Sequence, residues 1–300
     1  MPTRFSRSGE CRNVREAAAS LRKPWPWLPP GLSIVVQETA IILHHLRLSW
    51  RVLWALTKIE TRRKYAGSVL GLLWYPMYSA LLLGSYCFLY LVVFKLRFRE
   101  FGSYQYVLFV FSGLIPFLGF SEAVVTSASS VRQNLAILRN AVFPIEFVPL
   151  KYVCAALAGL VSSLAILTAL SIASGFLGWH LLYLPVAVAA LLGFSIAVAW
   201  TLSAATVLLP DITQVVNIAL MLLMFLSPVG YTVDMVPANI RFLVFLNPLT
   251  YLIDAFRFAF LGVRSTAIWV DGAFIAACVV AVALSGTFFR RLSPLFADYE

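Results

Sequence analysis

Positively charged residues recur at helical spacing just before the first long apolar stretch of this 300-residue chain. At about 100° per residue, Arg47, Arg51, Lys58 and Arg62 fall within an arc of about 60° on one helical face. Apolar side chains occupy the opposite side, and two tryptophans flank the basic stripe. A helix with this pattern lies in the plane of a membrane, and residues 41–64 are predicted to form one.

This helix is predicted to end in Arg62, Arg63 and Lys64, directly before a segment without charged residues from Val69 to Phe94. Two interpretations remain open for these cations. The helix is either an anchor that only fixes the topology of the chain, or its cations meet an anionic substrate that enters from the cytoplasmic leaflet. The helix pattern by itself favours neither interpretation.

A second polar segment, Ser130 to Ala141, combines arginines and side-chain amides with apolar residues at helical spacing. It is predicted to form a short amphipathic helix, because Pro144 and Pro149 then interrupt helical geometry. A short cytoplasmic helix between two spans offers a grip to a soluble motor subunit. An ordinary interfacial connector would have the same pattern, so both interpretations stay open.

The segment from Ser227 to Gly262 is apolar but is divided by Pro237, Asn247 and Pro248. Its two pieces of about 10 to 14 residues are too short to cross a bilayer and favour re-entrant or interfacial helices. Asp254 and Arg257, three residues apart, are predicted to pair on one helical face. The segment is typical of a lid over an external pore mouth.

Aromatic residues crowd the first two predicted spans. Four tyrosines fall within about 120° of one face of the first span, and a phenylalanine cluster lies on the second. The candidate pore-lining residues are Tyr75, Tyr78, Tyr86, Tyr90 and Phe117. Rings that line a pore would suit sugars, whose apolar faces stack on aromatics, but structural packing explains the same residues equally well.

The composition decides the broad class of protein. Hydrophobic residues make up 61% of the chain and charged residues 12%, and the mean hydropathy is +0.88. A soluble domain of this size carries far more charge, so the chain is predicted to be an integral membrane protein. The net charge is +10, but 12 of the 23 Lys and Arg residues lie at or before Lys64. This distribution favours a cytoplasmic face against anionic lipid and not nucleic acid.

Apolar stretches of about 20 residues predict six transmembrane helices. They are Gly71–Phe94, Tyr104–Thr126, two helices between Tyr152 and Pro210 joined by a turn in Ser174–Pro185, Ile212–Tyr231, and Asp271–Phe289. With both termini in the cytoplasm, 17 cations lie on that side and six on the other, as the positive-inside rule requires.

The predicted fold is therefore an all-α integral membrane protein. It has six transmembrane helices, an N-terminal in-plane amphipathic helix, and a re-entrant helix pair between spans five and six. The expected segments are a flexible basic, proline-rich cytoplasmic tail (1–33), the amphipathic interfacial helix (34–66) and the six-span domain (67–300).

Catalytic and nucleotide-binding motifs are missing from the sequence. The chain has no GxxxxGK[ST] motif, so it cannot bind ATP through a P-loop. No span carries the series of acids expected of a proton-coupled carrier. His44, His45, Asp211 and Asp254 form no persuasive catalytic group, which disfavours a polytopic membrane transferase, and no metal site is indicated. A transporter of this kind would need an external motor.

Several motifs resemble the permease subunits of type-2 ABC exporters, particularly those for polysaccharides such as O-antigen, capsule and teichoic acid. The resemblance extends from about Glu60 to the C-terminus. Its first motif comprises Glu60, Lys64, Tyr65, Gly67, Ser68, Leu70, Gly71 and Trp74, with Ala66 where many members carry a second basic residue. Further matches are "FPIEFVPL" (Phe143–Leu150), "LSPVGY" (Leu226–Tyr231) and "NPLTYLIDAFRFAFLG" (Asn247–Gly262).

The resemblance implies a homodimer of permeases bound to two copies of a separate ABC ATPase. ATP and Mg would bind to that ATPase, and no cofactor is expected on this chain. The expected substrate is a polysaccharide, typically linked to undecaprenyl diphosphate and used in lipopolysaccharide or capsule biosynthesis. The expected location is the cytoplasmic (inner) membrane of a bacterium. An exporter of small drugs or simple lipids is the alternative within the family.

The resemblance also implies roles for three groups of residues. The gate helix at the substrate entrance would contribute Arg47, Arg51, Lys58, Arg62, Arg63, Lys64 and Tyr65. The helix that couples to the ATPase would contribute Arg132, Gln133, Asn134, Leu138, Arg139 and Asn140. The external gate would contain Pro228, Tyr231, Asn247, Pro248, Asp254 and Arg257.

Overall fold

The computed structural model describes residues 50–64, 66–93, 103–135, 145–175 and 178–297. Every regular element within these ranges is helical. Four helices in the described part of the chain are long and apolar enough to cross a membrane: Gln105–Ala128, Phe147–Ala173, Trp179–Leu208 and Ile268–Leu292. The all-α membrane class is thereby confirmed, and the count of six spans stays a prediction.

The first two helices are joined by a tight reversal. Residues 50–64 form α1, and Trp74–Cys87 form α2. A 3₁₀ turn precedes α2 and a π-helical segment follows it, so the chain is helical from Gly71 to Val93, close to the predicted first span. Gly67 and Gly71 have φ angles of 82° and 50°, a left-handed conformation that glycine adopts without steric cost.

The central helix of the bundle is α3 (Ser103–Ala128). It packs against α2 and five later helices of the described chain, and its middle section is fully buried at Val110, Phe111 and Leu114. The helix stops at Ser129, where the backbone leaves helical geometry, and the four-residue helix α4 (Ser130–Gln133) follows.

Two long helices return across the bundle. They are α5 (Phe147–Ala173) and α6 (Leu184–Leu208), the latter preceded by a 3₁₀ turn at Trp179–Tyr183. Gly175, with φ of 73°, reverses the chain after α5. The predicted pair of helices with a turn in Ser174–Pro185 is confirmed.

The next helix is shorter than the predicted fifth span. Helix α7 covers Ile212–Leu226, and the predicted span Ile212–Tyr231 is helical only that far because extended backbone begins at Ser227. Its 15 residues measure about 22 Å, less than the roughly 30 Å of a hydrocarbon core.

The last third of the chain contains the predicted lid. Helix α8 (Arg241–Leu246) has six residues, and α9 (Pro248–Leu261) has 14 and is mostly buried. Asn247 separates them and caps α9 by accepting a hydrogen bond from the Leu249 amide at 3.0 Å. Helix α10 (Ile268–Leu292) completes the bundle.

The two ends of the bundle differ in charge. We call the end of the bundle at which α1 and α3 terminate the basic end, and the opposite end the far end. Two ion pairs at the basic end join Lys64 to Glu122 and Lys151 to Glu60. A third joins Arg290 to Glu146 at 3.3 Å, so the start of α5 and the close of α10 meet there as well.

Candidate functional site

Two adjoining cavities form one groove on the side of the bundle. The first, about 440 Å³, opens at the basic end between α1, α3, α4 and α5. The second, about 470 Å³, continues along α2, α3 and α5. Both are lined by Lys64, Tyr75, Glu122 and Thr126, so we treat them as one feature, the lateral groove.

The protein-facing side of α1 is a single stripe. Leu53 and Thr57 are buried, and Glu60 and Lys64 follow on the same face at helical spacing. Glu60 accepts from Lys151 at 3.0 Å, and Lys64 contacts Glu122 at 2.5 Å. Helix α1 is therefore held by opposite charges on two different helices.

The predicted basic stripe lies on the exposed side of α1. Arg51, Lys58 and Arg62 are all exposed, as is Arg63, which lines the mouth of the groove. Val52 and Ile59 also stay exposed, and Trp50 stacks on Trp54 at 6.2 Å between ring centroids. Arg47 and Tyr65 lie outside the described residues.

The inner part of the groove is lined by hydroxyl and aromatic groups. The hydroxyls of Ser79 and Ser163 lie 2.6 Å apart, and Tyr78 is exposed at the rim. A Cβ atom on Gly159 would lie 2.9 Å from Cδ1 of Tyr75. Only a glycine at this position leaves the tyrosine ring its present place in the wall.

The predicted pore aromatics are distributed over several environments. Tyr75 and Tyr78 line the lateral groove, and Tyr86 is half-buried against the apolar core. Phe117 is buried within that core. The side chain of Tyr90 lies outside the described part of the structure. Their part in forming a pore stays a prediction.

The predicted coupling segment is described only at its start. Arg132 and Gln133 are exposed on α4, whereas Asn134 is buried. Asn134 donates hydrogen bonds to the Ser130 carbonyl at 2.7 Å and to the Tyr152 hydroxyl at 3.3 Å. The remaining predicted residues, Leu138, Arg139 and Asn140, lie outside the described residues.

At the far end, side chains satisfy a backbone segment that belongs to no helix. Arg257 donates to the carbonyl oxygens of Pro228 and of Val229, the latter at 2.8 Å, and its guanidinium lies 3.6 Å from the centre of the Phe109 ring. The Tyr106 hydroxyl donates to the Gly230 carbonyl at 3.2 Å. Irregular backbone at membrane depth requires such partners.

Other contacts hold the ends of the same segment. Asn247 donates from its side-chain amide to the Ser227 hydroxyl at 2.8 Å, and the Tyr231 hydroxyl donates to the Leu226 carbonyl at 2.8 Å. Pro248 stands at the start of α9, where its missing amide hydrogen costs nothing. Of the residues predicted for the external gate, Arg257 and Asn247 therefore contact the loop that contains Pro228 and Tyr231, Pro248 follows Asn247 in the chain, and Asp254 does not contact this loop.

The predicted ion pair between Asp254 and Arg257 is wrong. Asp254 accepts hydrogen bonds from the backbone amides of Ser265 and Thr266, at 2.8 and 3.0 Å. The two side chains lie one turn apart on α9, but each has backbone partners in a different neighbouring loop, which the sequence spacing does not reveal.

Three contacts between charged side chains were missed by the sequence analysis. Lys64 was interpreted as a cation for substrate, but Glu122 pairs with it. Lys151, one of the 17 cations assigned to the cytoplasmic side, contacts Glu60. Asp271 is buried and accepts from Arg264 at 2.6 Å. In the sequence, Glu60 and Lys64 are opposite charges one turn apart on α1, and this spacing was the available signal for the first two contacts.

Comparison with known proteins gives consistent results. Residues 51–261 match the family described as ABC-2 type transporter. An O-antigen export system permease protein RfbA from Myxococcus xanthus is 31% identical over 181 residues, which is 60% of this chain and 68% of the relative. A protein of the same name from Klebsiella pneumoniae is 22% identical over 258 residues, 85% of this chain and 97% of the relative.

Proposed function

This chain belongs to the ABC-2 type transporter family, and we propose that it is the channel-forming permease subunit of an ATP-driven polysaccharide exporter. It is thus a component of a transport system rather than an enzyme. The names of its relatives, O-antigen export permeases, support a polysaccharide as the cargo. The lateral groove is the observation that carries the proposal for this chain.

The groove combines two chemistries along its length. Arg63 and Lys64 stand at its mouth beside Glu60 and Glu122, and hydroxyls with aromatic faces line its inner part at Tyr75, Ser79 and Ser163. A glycan on undecaprenyl diphosphate has the same two parts, an anionic diphosphate and a neutral polymer rich in hydroxyls. Arg and Lys bind phosphate oxygens through charge-assisted hydrogen bonds, while sugar faces stack on tyrosine.

The charge difference between the two ends supports an orientation. Under the positive-inside rule the basic end faces the cytoplasm, and both termini lie on that side of a bacterial cytoplasmic membrane. The exposed Arg132 and Gln133 would then offer a docking surface to a separate ABC ATPase. ATP and Mg would bind to that ATPase, and two copies of this chain would form the pore.

Transport then requires linked movements at the two ends. In the resting state α1, which is held by its two ion pairs, borders and narrows the mouth of the groove. The loop from Ser227 to Tyr231, with α8 and α9, closes the far end. ATP binding to the motor subunits would favour a state with a wider path, a shift between populations of the permease.

Transport in proteoliposomes tests this proposal. The permease is reconstituted with its ATPase, and the movement of fluorescent undecaprenyl-diphosphate-linked glycan to the other leaflet is measured with and without ATP. We expect ATP-dependent movement of this substrate and little movement of undecaprenyl phosphate without glycan. Equal transport of both compounds, or preferential transport of simple fluorescent lipids, would contradict a polysaccharide exporter.

A further inference from the structure

Helix α1 is attached to the bundle by two ion pairs, and it contributes the acid to one and the base to the other. Glu60 on α1 meets a base, Lys151 of α5, and one turn later Lys64 meets an acid, Glu122 of α3. A shift of α1 by one turn would bring Lys64 toward Lys151, and like charges at that distance repel. The contact therefore fixes both the position and the register of α1.

The two pairs differ in exposure. The side chains of Lys151 and Glu60 are 11% and 15% exposed, whereas those of Lys64 and Glu122 are 38% and 25% exposed. Solvent strongly screens the Lys64–Glu122 pair, which we call the outer pair, so its contribution to holding α1 is small. The Lys151–Glu60 pair is the inner pair. Loss of one of its partners leaves a poorly solvated charge, which weakens the attachment of α1 more. The inner pair is the stronger link.

Lys151 also contacts the segment next to α4. Its ammonium donates to the side-chain oxygen of Asn134 at 3.5 Å, and the amide of Asn134 donates to the Ser130 carbonyl at the start of α4. A continuous chain of polar contacts thus extends from Glu60 on α1, through Lys151 and Asn134, to α4. The same three elements meet at the mouth of the lateral groove, which Glu60 and Asn134 both line.

We propose that Lys151 is a positioning residue that transmits movement of α4 to α1, so that displacement of α4 by the ATPase opens the mouth of the groove. The inference rests on the proposed function, because it takes α4 as the part that docks on the motor. It adds a specific connection between the motor and the substrate entrance. Lys151 acts here through Glu60 and Asn134, without touching the substrate.

A cysteine reporter in the groove tests the relay without any glycan substrate. Thr61→Cys is introduced on α1, where Thr61 lines the mouth, in a chain whose native cysteines are replaced by alanine. The permease is assembled with its ATPase in proteoliposomes. The rate of maleimide labelling is then compared with and without a non-hydrolysable ATP analogue. We expect the analogue to raise the rate about fivefold, the lower end of ordinary coupling between two sites.

Variants of the inner pair decide whether the relay causes this change. Lys151→Met should abolish the effect of the nucleotide, whereas Lys151→Arg should retain it, because a guanidinium can donate both to Glu60 and to the side-chain oxygen of Asn134. Arg291→Met is the control, since Arg291 is an exposed cation at the same end of the bundle, on α10, and has no part in the contacts of α1. Assembly with the ATPase, measured by co-purification, shows that each variant is folded.

The outcomes separate the inference from the proposed function. A nucleotide effect that persists in Lys151→Met, or that is lost in Lys151→Arg, overturns the relay and leaves the permease assignment intact. A complex that forms but labels at the same rate with and without the analogue also overturns the relay. Failure of the wild-type chain to assemble with an ABC ATPase contradicts the proposed function and the relay together.

Discussion

Arg257 offers the sharpest test of how the far end is closed. Its guanidinium is buried, donates to the carbonyls of Pro228 and Val229, and lies on the Phe109 ring. In Arg257→Met the ring contact becomes apolar and the desolvation cost of the charge disappears. The two carbonyl oxygens, however, lose their partner, at roughly 1–3 kcal/mol each. We expect local destabilisation of the loop by about 2–4 kcal/mol.

Hydrogen exchange measures this local change. Opening of the loop from Ser227 to Tyr231 should become about 30- to 1,000-fold more frequent, the equivalent of that free energy, and its amide protons should exchange faster in proportion. Arg241→Met is the matched control. Arg241 is 36% exposed and its carbonyl partners lie at the surface of the loop before α8, so its loss should change exchange by less than about fivefold.

The comparison also tells which result refutes the reasoning. Unchanged protection of the loop in Arg257→Met would show that other contacts close the far end and that the arginine is replaceable. Equal effects of Arg257→Met and Arg241→Met would show that burial of the guanidinium is not what makes it important. Either result would remove Arg257 from the external gate.

Three further predictions concern the lateral groove and the basic end. Gly159→Ala should be less stable than Gly84→Ala by about 1–3 kcal/mol in thermal unfolding, because the added Cβ meets the Tyr75 ring whereas Gly84 faces open space. Glu122→Gln should change stability by less than about 1 kcal/mol, since the pair is partly exposed, but should strengthen binding of undecaprenyl diphosphate about two- to fivefold. Arg132→Glu should reduce co-purification of the ATPase while the permease still inserts.

Each of these predictions has a result that contradicts it. Equal stability of the two glycine variants would mean that the groove wall is loosely packed. Weaker binding after Glu122→Gln would indicate that the carboxylate itself holds the ligand. Normal ATPase binding and export by Arg132→Glu would remove α4 from the docking surface, with permease quantity in the membrane as the control.

Properties that depend on local chain chemistry could be predicted from the sequence. Apolar length and composition determine that a segment leaves water, so the predicted second, third, fourth and sixth spans match the four long apolar helices of the described chain to within about five residues, as with α3 at Ser103–Ala128. The family could also be identified from the sequence, because each of its motifs is a short run of the chain. The boundary at Ser227 was missed, since hydropathy continues beyond the point where the helix ends.

The pairings across the bundle were decided by the tertiary structure alone. Lys64 and Glu122 are 58 residues apart, and nothing in either segment specifies the other. Helical periodicity places Phe117 and Tyr75 on faces of their helices, but only the packing makes one a core residue and the other a groove wall.

The sequence and the tertiary structure determine different properties of the charged residues. The sequence alone predicts how many cations stand on each side of the membrane, because the positive-inside rule depends on their total number. Which cations have partners depends on what packs beside them. Arg257 therefore bonds to backbone carbonyls, and Lys151 joins α1 to α4, because burial makes each charge take the nearest groups that can solvate it.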